Sequence, residues 1–171
     1  MKKYGDILKG GDLRSIGKAN LVVKEISSQS EFDQLFNALY HTDRKVVMRA
    51  ADAIEKVTLT NRQFLYKHKP KILAFCKAVI HIELKWHLAL LVSRLRLTKS
   101  ETSSVWHLLT QWAMDEKESK IVRVNALQGM FDLLTANKKL EKDFNLKVSE
   151  ILRENIPSLN ARIRRLANAS H

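Results

Sequence analysis

Between Lys85 and Leu95 the chain reads KWHLALLVSRL. Apolar residues there fall on nearly every side of a 3.6-residue turn, with Ala89 set among Leu88, Leu90 and Leu91. A surface helix carries one apolar stripe, whereas a helix apolar all round is covered on several sides. The stretch has counterparts. VVMRAADAIEKV from Val46, LKWHLALLVSRL from Leu84 and IVRVNALQGMFDL from Ile121 align so that Arg49, His87 and Asn125 share one position. Ala50, Leu88 and Ala126 then coincide, as do Val57, Leu95 and Leu133. The step is 87 − 49 = 38, then 125 − 87 = 38, and SLNARIRRLA from Ser158 brings Arg162 in after 37. Fixed steps of this length are produced by stacked helical hairpins, each covering its apolar face with its neighbours.

Each segment is followed by a second helical stretch: NRQFLYKHKPKILAFCKAV from Asn61, ETSSVWHLLTQWAM from Glu101, and LEKDFNLKVSEILREN from Leu140. Pro70 fits the first turn of its helix, where no backbone N–H is needed. Thr98-x-x-Glu101 and Ser28-x-x-Glu31 have the spacing of reciprocal N-terminal caps, and Pro157 opens the last helix. SIGKANLVVKEI from Ser15 and EFDQLFNALY from Glu31 form a less regular pair near the start. Alanines 50, 51, 53, 89 and 126 let helices approach closely.

DRKVVMRAADAIEKV from Asp43 resembles the first helix of a HEAT-like repeat. Asp43 and Arg49 stand six apart, as do the family's Asp and Arg that hydrogen-bond between neighbouring hairpins. His81/His87 and Ser119/Asn125 replace that pair further on, so the ladder is not expected to continue through them. GGDLRSIGKAN at 10–20, RAADAIEKVTLT at 49–60, KWHLALLVSRLRLT at 85–98 and SKIVRVNALQGMFDLL at 119–134 are similar to a group of small bacterial HEAT-like (armadillo-type) proteins. That resemblance spans most of the chain and implies a fold, with no activity attached. The expected architecture is all-α, a right-handed α-solenoid of about four helical hairpins in a single domain at 1–171. It would comprise an irregular helix pair at 1–41, repeats at 42–80, 81–117 and 118–155, and a C-terminal capping helix at 156–171.

Composition agrees with helices. Five Gly and two Pro among 171 residues leave little punctuation for many short strands. Cys76 is the single cysteine, which excludes an internal disulfide and a zinc site of several thiolates. MKKYGDILKGG has no signal-length apolar core, and no run reaches the roughly 18 apolar residues of a membrane span. A cytoplasmic location is expected. Charge adds a partner. The chain is +12, and from Lys56 to Lys99 ten basic residues face one acid, Glu83. That window is +9, so the remainder is +3, and the localisation predicts an acidic partner, either a protein surface or nucleic acid.

The candidate basic surface is the cluster Lys67, Lys69 and Lys71 around Tyr66 and His68, continued by Lys85, Arg94, Arg96 and Lys99. In HEAT-type arrays the second-layer helices line the inner curve, so adjacent repeats would offer a basic stripe able to track phosphates. Possible contributors on a concave face are Arg49, Trp86, His87, Trp112 and Asp115. The tryptophans at 86, 106 and 112 read as core by their helical spacing, while one exposed beside cations would stack on a base.

No catalytic residue stands out. GGDLRSIGKAN lacks the spacing of a Walker loop; it reads as a Gly-Gly turn with Asp12 capping a helix, where Arg14 and Lys18 could help hold an anion. Histidines 41, 68, 81, 87, 107 and 171 show no zinc-type spacing, and no metal or cofactor is expected. His87 and His107 read as hydrogen-bonded boundary histidines, Cys76 as a buried thiol, and Asp52 and Glu55 as carboxylates paired with Lys56 or Arg49. The favoured function is a non-enzymatic binding or scaffold module. The enzymatic rival is a DNA repair enzyme resembling the HEAT-like alkylpurine glycosylases, with Trp112–Asp115 and Trp86–Arg49 the pairs to nominate. A third reading is a structural subunit or assembly chaperone that binds through apolar surface.

Overall fold

The structure, a computed structural model, describes residues 4–10 and 17–169; Asp12, Arg14 and His171 lie outside them. Among the described residues there are ten α-helices and no strand. They fall into two compact units, residues 1–71 and 72–171.

The first unit holds α1 (Tyr4–Ile7), α2 (Gly17–Glu25), α3 (Gln29–Asn37) and α4 (Arg44–Thr60). A 3-10 segment at Arg62–His68 then leads into α5 (Lys69–Ala78), which crosses the boundary and carries Pro70 in its first turn. Ser28 caps α3 as its spacing predicts: Glu31 N donates to Ser28 Oγ at 3.3 Å, and Ser28 N donates to Glu31 Oε2 at 3.0 Å. At α4 the cap is Asp43, whose Oδ1 accepts from Lys45 N at 2.8 Å. Helix α4 packs against α1, α2 and α3, and Ala50, Ala51 and Ala53 have no exposed surface. Arg49 is buried too. Its guanidinium donates to the carbonyl oxygens of Leu8, at 2.6 Å, and Gly10, the latter in the left-handed conformation that glycine tolerates (φ 78°).

The second unit holds α6 (Ile82–Leu91), α7 (Lys99–Met114), α8 (Lys120–Leu134), α9 (Glu141–Arg153) and α10 (Pro157–Ala169). Helix α8 sits at its centre, against α6, α7, α9 and α10. This accounts for KWHLALLVSRL: Leu88, Ala89, Leu91 and Val92 are wholly covered. Gly129 of α8 lies so close to α6 that a Cβ there would collide with the carbonyl oxygen of Ala89. Between α9 and α10, Asn155 adopts φ 52° and Pro157 follows, a helix stop followed by a helix start.

The aligned position keeps a role despite its changed chemistry. Asn125 Nδ2 donates to the Trp86 carbonyl of α6 at 3.1 Å, and Arg162 donates to Gln128 Oε1 of α8 at 2.7 Å. At Asn125 the bond runs from a short amide to a backbone oxygen across tightly packed helices, not between side chains of the Asp–Arg kind. His87, at the same position, is buried and lies 5.6 Å edge-on to Trp86. No described helix is long and apolar enough to cross a membrane.

Candidate functional site

The expected basic residues divide according to what they touch. In the first unit, Lys67 is exposed but its ammonium lies 2.6 Å from Asp33 Oδ2, Lys69 is half-buried, and Lys71 stands 5.8 Å over the Tyr40 ring. Asp33 also meets buried His68 Nε2 at 2.6 Å and accepts from Gln29 at 2.8 Å. Burial pushes the Asp33 carboxyl up, and the bonds from Lys67, Gln29 and His68 outweigh it, bringing it to about 2. His68 is stacked on Phe36 at 3.9 Å, and its burial holds it below the ordinary 6.5 despite the pull of Asp33.

In the second unit, Lys85 is ion-paired with Glu118 and stands 5.0 Å over the Trp112 ring. Arg94 is buried, whereas Arg96 and Lys99 are exposed. The stripe is thus thinner than the linear charge suggests: Lys67 and Lys85 have carboxylate partners, and Arg94 is withdrawn into the protein. Of the contributors expected on a concave face, Arg49, His87 and Trp112 are buried, because each serves packing or backbone carbonyls rather than a ligand. Trp86 is half-buried. Asp115 is exposed at the end of α7, where it accepts from Lys117 N at 2.9 Å. Trp106 is buried, with its indole N–H donated to Asp143 at 2.8 Å.

What the second unit does offer is a groove between α5 and α7. Thr98 starts α7 with a reciprocal cap, Glu101 N donating to Thr98 Oγ1 at 3.2 Å and Thr98 N to Glu101 Oε2 at 2.7 Å. From Thr102 to Met114 the helix has no Lys, Arg, Asp or Glu. Val105, Leu109, Trp112 and Ala113 turn inward, which leaves Ser100, Ser104, His107 and Gln111 outward at helical spacing. Against this face lie Leu73, Cys76 and Lys77 of α5. The cavity is about 260 Å³, with an apolar floor of Leu73, Cys76, Val105 and Leu108. Cys76 is buried and its thiol is pushed up to about 12 by burial, so it is a floor atom rather than a nucleophile.

Lys77 is on the rim, and Lys99 precedes Ser100. The one acid of the rim, Glu101, is already engaged with Thr98 N. His107, expected as a boundary histidine, is instead exposed on this rim. Sequence reasoning passed over the groove, although a signal was present: thirteen successive α7 residues without a formal charge, with small polar groups recurring on one face.

A second basic feature also lay outside the expected stripe. Lys138, Lys139 and Lys142 ring an open hollow at the start of α9, with Glu141, Asn145 and Ser149 along it. No described carboxylate lies at ion-pair distance from these three, or from Lys77 and Lys99. Among the described residues no group of three His, Cys, Asp or Glu is placed to hold a metal ion. No protein-family model, curated protein or solved structure matches the chain.

Proposed function

We propose that the chain is a helical-repeat binding module of the HEAT-like, right-handed solenoid type, and that it works by holding an acidic protein segment rather than by catalysis. Supporting the repeat are helix starts at 44, 82, 120 and 157, in steps of 38, 38 and 37. Within the second unit the first helices α6, α8 and α10 follow one another side by side. Links within each unit also recur at about one repeat: Lys56–Asn20, Lys85–Glu118, Trp106–Asp143 and Arg162–Gln128 are 36, 33, 37 and 34 residues apart.

The observation that carries the function is a set of exposed ammonium groups on and beside second helices with no described carboxylate at ion-pair distance: Lys77, Lys99, Lys138, Lys139 and Lys142. All five lie in or just before second helices of their hairpins. A protein partner is favoured over nucleic acid because Trp106 and Trp112 are buried and offer no open indole to a base, while the α5–α7 groove is apolar. The same burial weighs against a glycosylase, since Lys85 covers the Trp112 ring beside which Asp115 would act.

The test is fluorescence anisotropy with a labelled oligoglutamate peptide and, in parallel, single-stranded DNA of matched charge, each at low and physiological salt. Binding of the peptide, weakened several-fold when Lys138, Lys139 and Lys142 are changed to Glu, is the expected result. A peptide that fails to bind even at low salt overturns the reading. DNA bound more tightly, with a log–log salt slope of about −0.7 per phosphate, would replace the protein partner by nucleic acid.

A further inference from the structure

We infer that the groove between α5 and α7 is a docking site for one amphipathic α-helix with acidic flanks, supplied by a partner protein. This rests on the acidic-partner reading and names the partner's form. The groove's size argues first: about 260 Å³ lies below the roughly 300–1,000 Å³ of small-molecule sites, so it takes side chains from a larger body. Its length argues next. The lining on α7 runs from Ser100 to Gln111, eleven residue steps, or about 16 Å at 1.5 Å per residue. Three turns of a docked helix match that span and present apolar side chains at i, i+4 and i+7.

An extended peptide fits less well. Both walls are α-helices whose backbone bonds are internal, so a strand laid between them would leave its own N–H and C=O groups without backbone partners. A helix brings its backbone already bonded. Charge then selects among helices. Lys77 on the rim, and Lys99 next to the rim residue Ser100, have no described carboxylate partners, and Glu101, the only acid of the described rim, is engaged in its cap. A helix with glutamates beside its apolar stripe matches that rim, and one with lysines there is repelled.

The experiment uses the whole chain and two labelled peptides of identical Leu, Ala and Glu composition. One places its leucines on a single helical face; the other scatters them. The one-faced peptide is expected to bind about tenfold more tightly, as burial of one further leucine would give. Ser104→Trp, which fills the groove from an exposed position, should abolish that difference, and Lys77→Glu, at the exposed rim, should weaken the one-faced peptide several-fold. The bound peptide should also slow native-state labelling of Cys76. Equal binding of both peptides to the wild type overturns the groove while leaving the acidic-partner reading intact. Undiminished preference for the one-faced peptide in Ser104→Trp, or undiminished affinity for it in Lys77→Glu, also overturns it. If neither peptide binds at low salt, both readings fall together.

Discussion

Replacing Gly129 by Ala tests the central packing of the second unit, because two effects of opposite sign meet at one atom. In an exposed helix interior, Gly→Ala stabilises by about 1 kcal/mol, since alanine restricts the unfolded chain and glycine does not. At Gly129 the new Cβ would overlap the Ala89 carbonyl oxygen of α6 and come within 3.2 Å of Leu109 Cδ1. The leucine end can turn away. The carbonyl cannot, since it belongs to the helix backbone beside the wholly covered Leu88, Ala89 and Leu91. The two helices must then separate along their contact, with loss of packing around Leu88, Ala126 and Leu127. Overpacking of this kind costs about 1–3 kcal/mol, with the upper part applying where backbone must move. Subtracting the propensity gain leaves a net destabilisation of about 1–2 kcal/mol.

Urea unfolding followed by circular dichroism reads this as a lower midpoint at an unchanged slope. Ala161→Gly, at an exposed position of α10, supplies the propensity scale in the same protein. A Gly129→Ala variant as stable as the wild type, or more so, would refute the close crossing of α6 and α8.

Other perturbations address other joints. Ala89→Asp places a carboxylate in the same dry contact and should leave the protein unfolded or insoluble; a soluble variant with native dichroism would contradict that packing. Arg123 is buried and donates to the Ala113 carbonyl at 2.8 Å and to Glu154 at 2.7 Å, so Arg123→Ala should lower stability by about 3 kcal/mol in the same urea assay, and an effect under about 1 kcal/mol would remove its bridging role. Acid should weaken the first unit. His68 folds with its affinity for protons below the ordinary 6.5, so the unfolded chain takes up the proton first and stability falls as pH drops from about 6.5. Asp33, at about 2 against 3.8, adds stability that is complete above the ordinary value and lost as pH falls toward 2. His68→Gln should therefore flatten the urea midpoint between about pH 7 and about pH 5; the same slope in the variant would exclude His68 as its source.

The helices were legible because their signals are local. A 3.6-residue apolar period, two capping motifs, Pro70 and Pro157 each act within a few residues, and the structure places helix starts where those signals stand. The small residues were legible in part: Ala89 announced a close approach, while Gly129, the residue it meets, lies 40 positions away and carried no mark of its own. Of the buried arginines, only Arg49 carried a signal, as the residue the resemblance places between hairpins. Arg94 and Arg123 look like surface cations, yet a long stem and five donors let arginine serve carbonyls inside a protein. Nothing near Arg123 in sequence identifies the Ala113 carbonyl or Glu154 as its partners.

Charge failed to map for a related reason. In a repeat chain the neighbour in space stands about one repeat away in sequence. Asp33 lies 34 residues before Lys67, and Glu118 lies 33 after Lys85. Both acids fall outside the window from Lys56 to Lys99, so a linear count of +9 includes cations whose counter-charges were never counted. The opposite error occurs at Lys138, Lys139 and Lys142, where nearby Glu141 and Asp143 dilute a linear count. Asp143 is taken by the Trp106 indole, and although Glu141 lines the same hollow, no described carboxylate lies at ion-pair distance from the three ammonium groups. For an array of this period, the predictive quantity is the charge of a residue together with the residues 31 to 39 positions away, the separations at which Arg123 meets Glu154 and Asn125 meets Trp86. Counted in that way, the cations left for a partner include Lys77, Lys99 and the α9 trio on and beside second helices, together with Lys24, Lys120, Arg164 and Arg165 on other helices, rather than the stripe a sliding window selects.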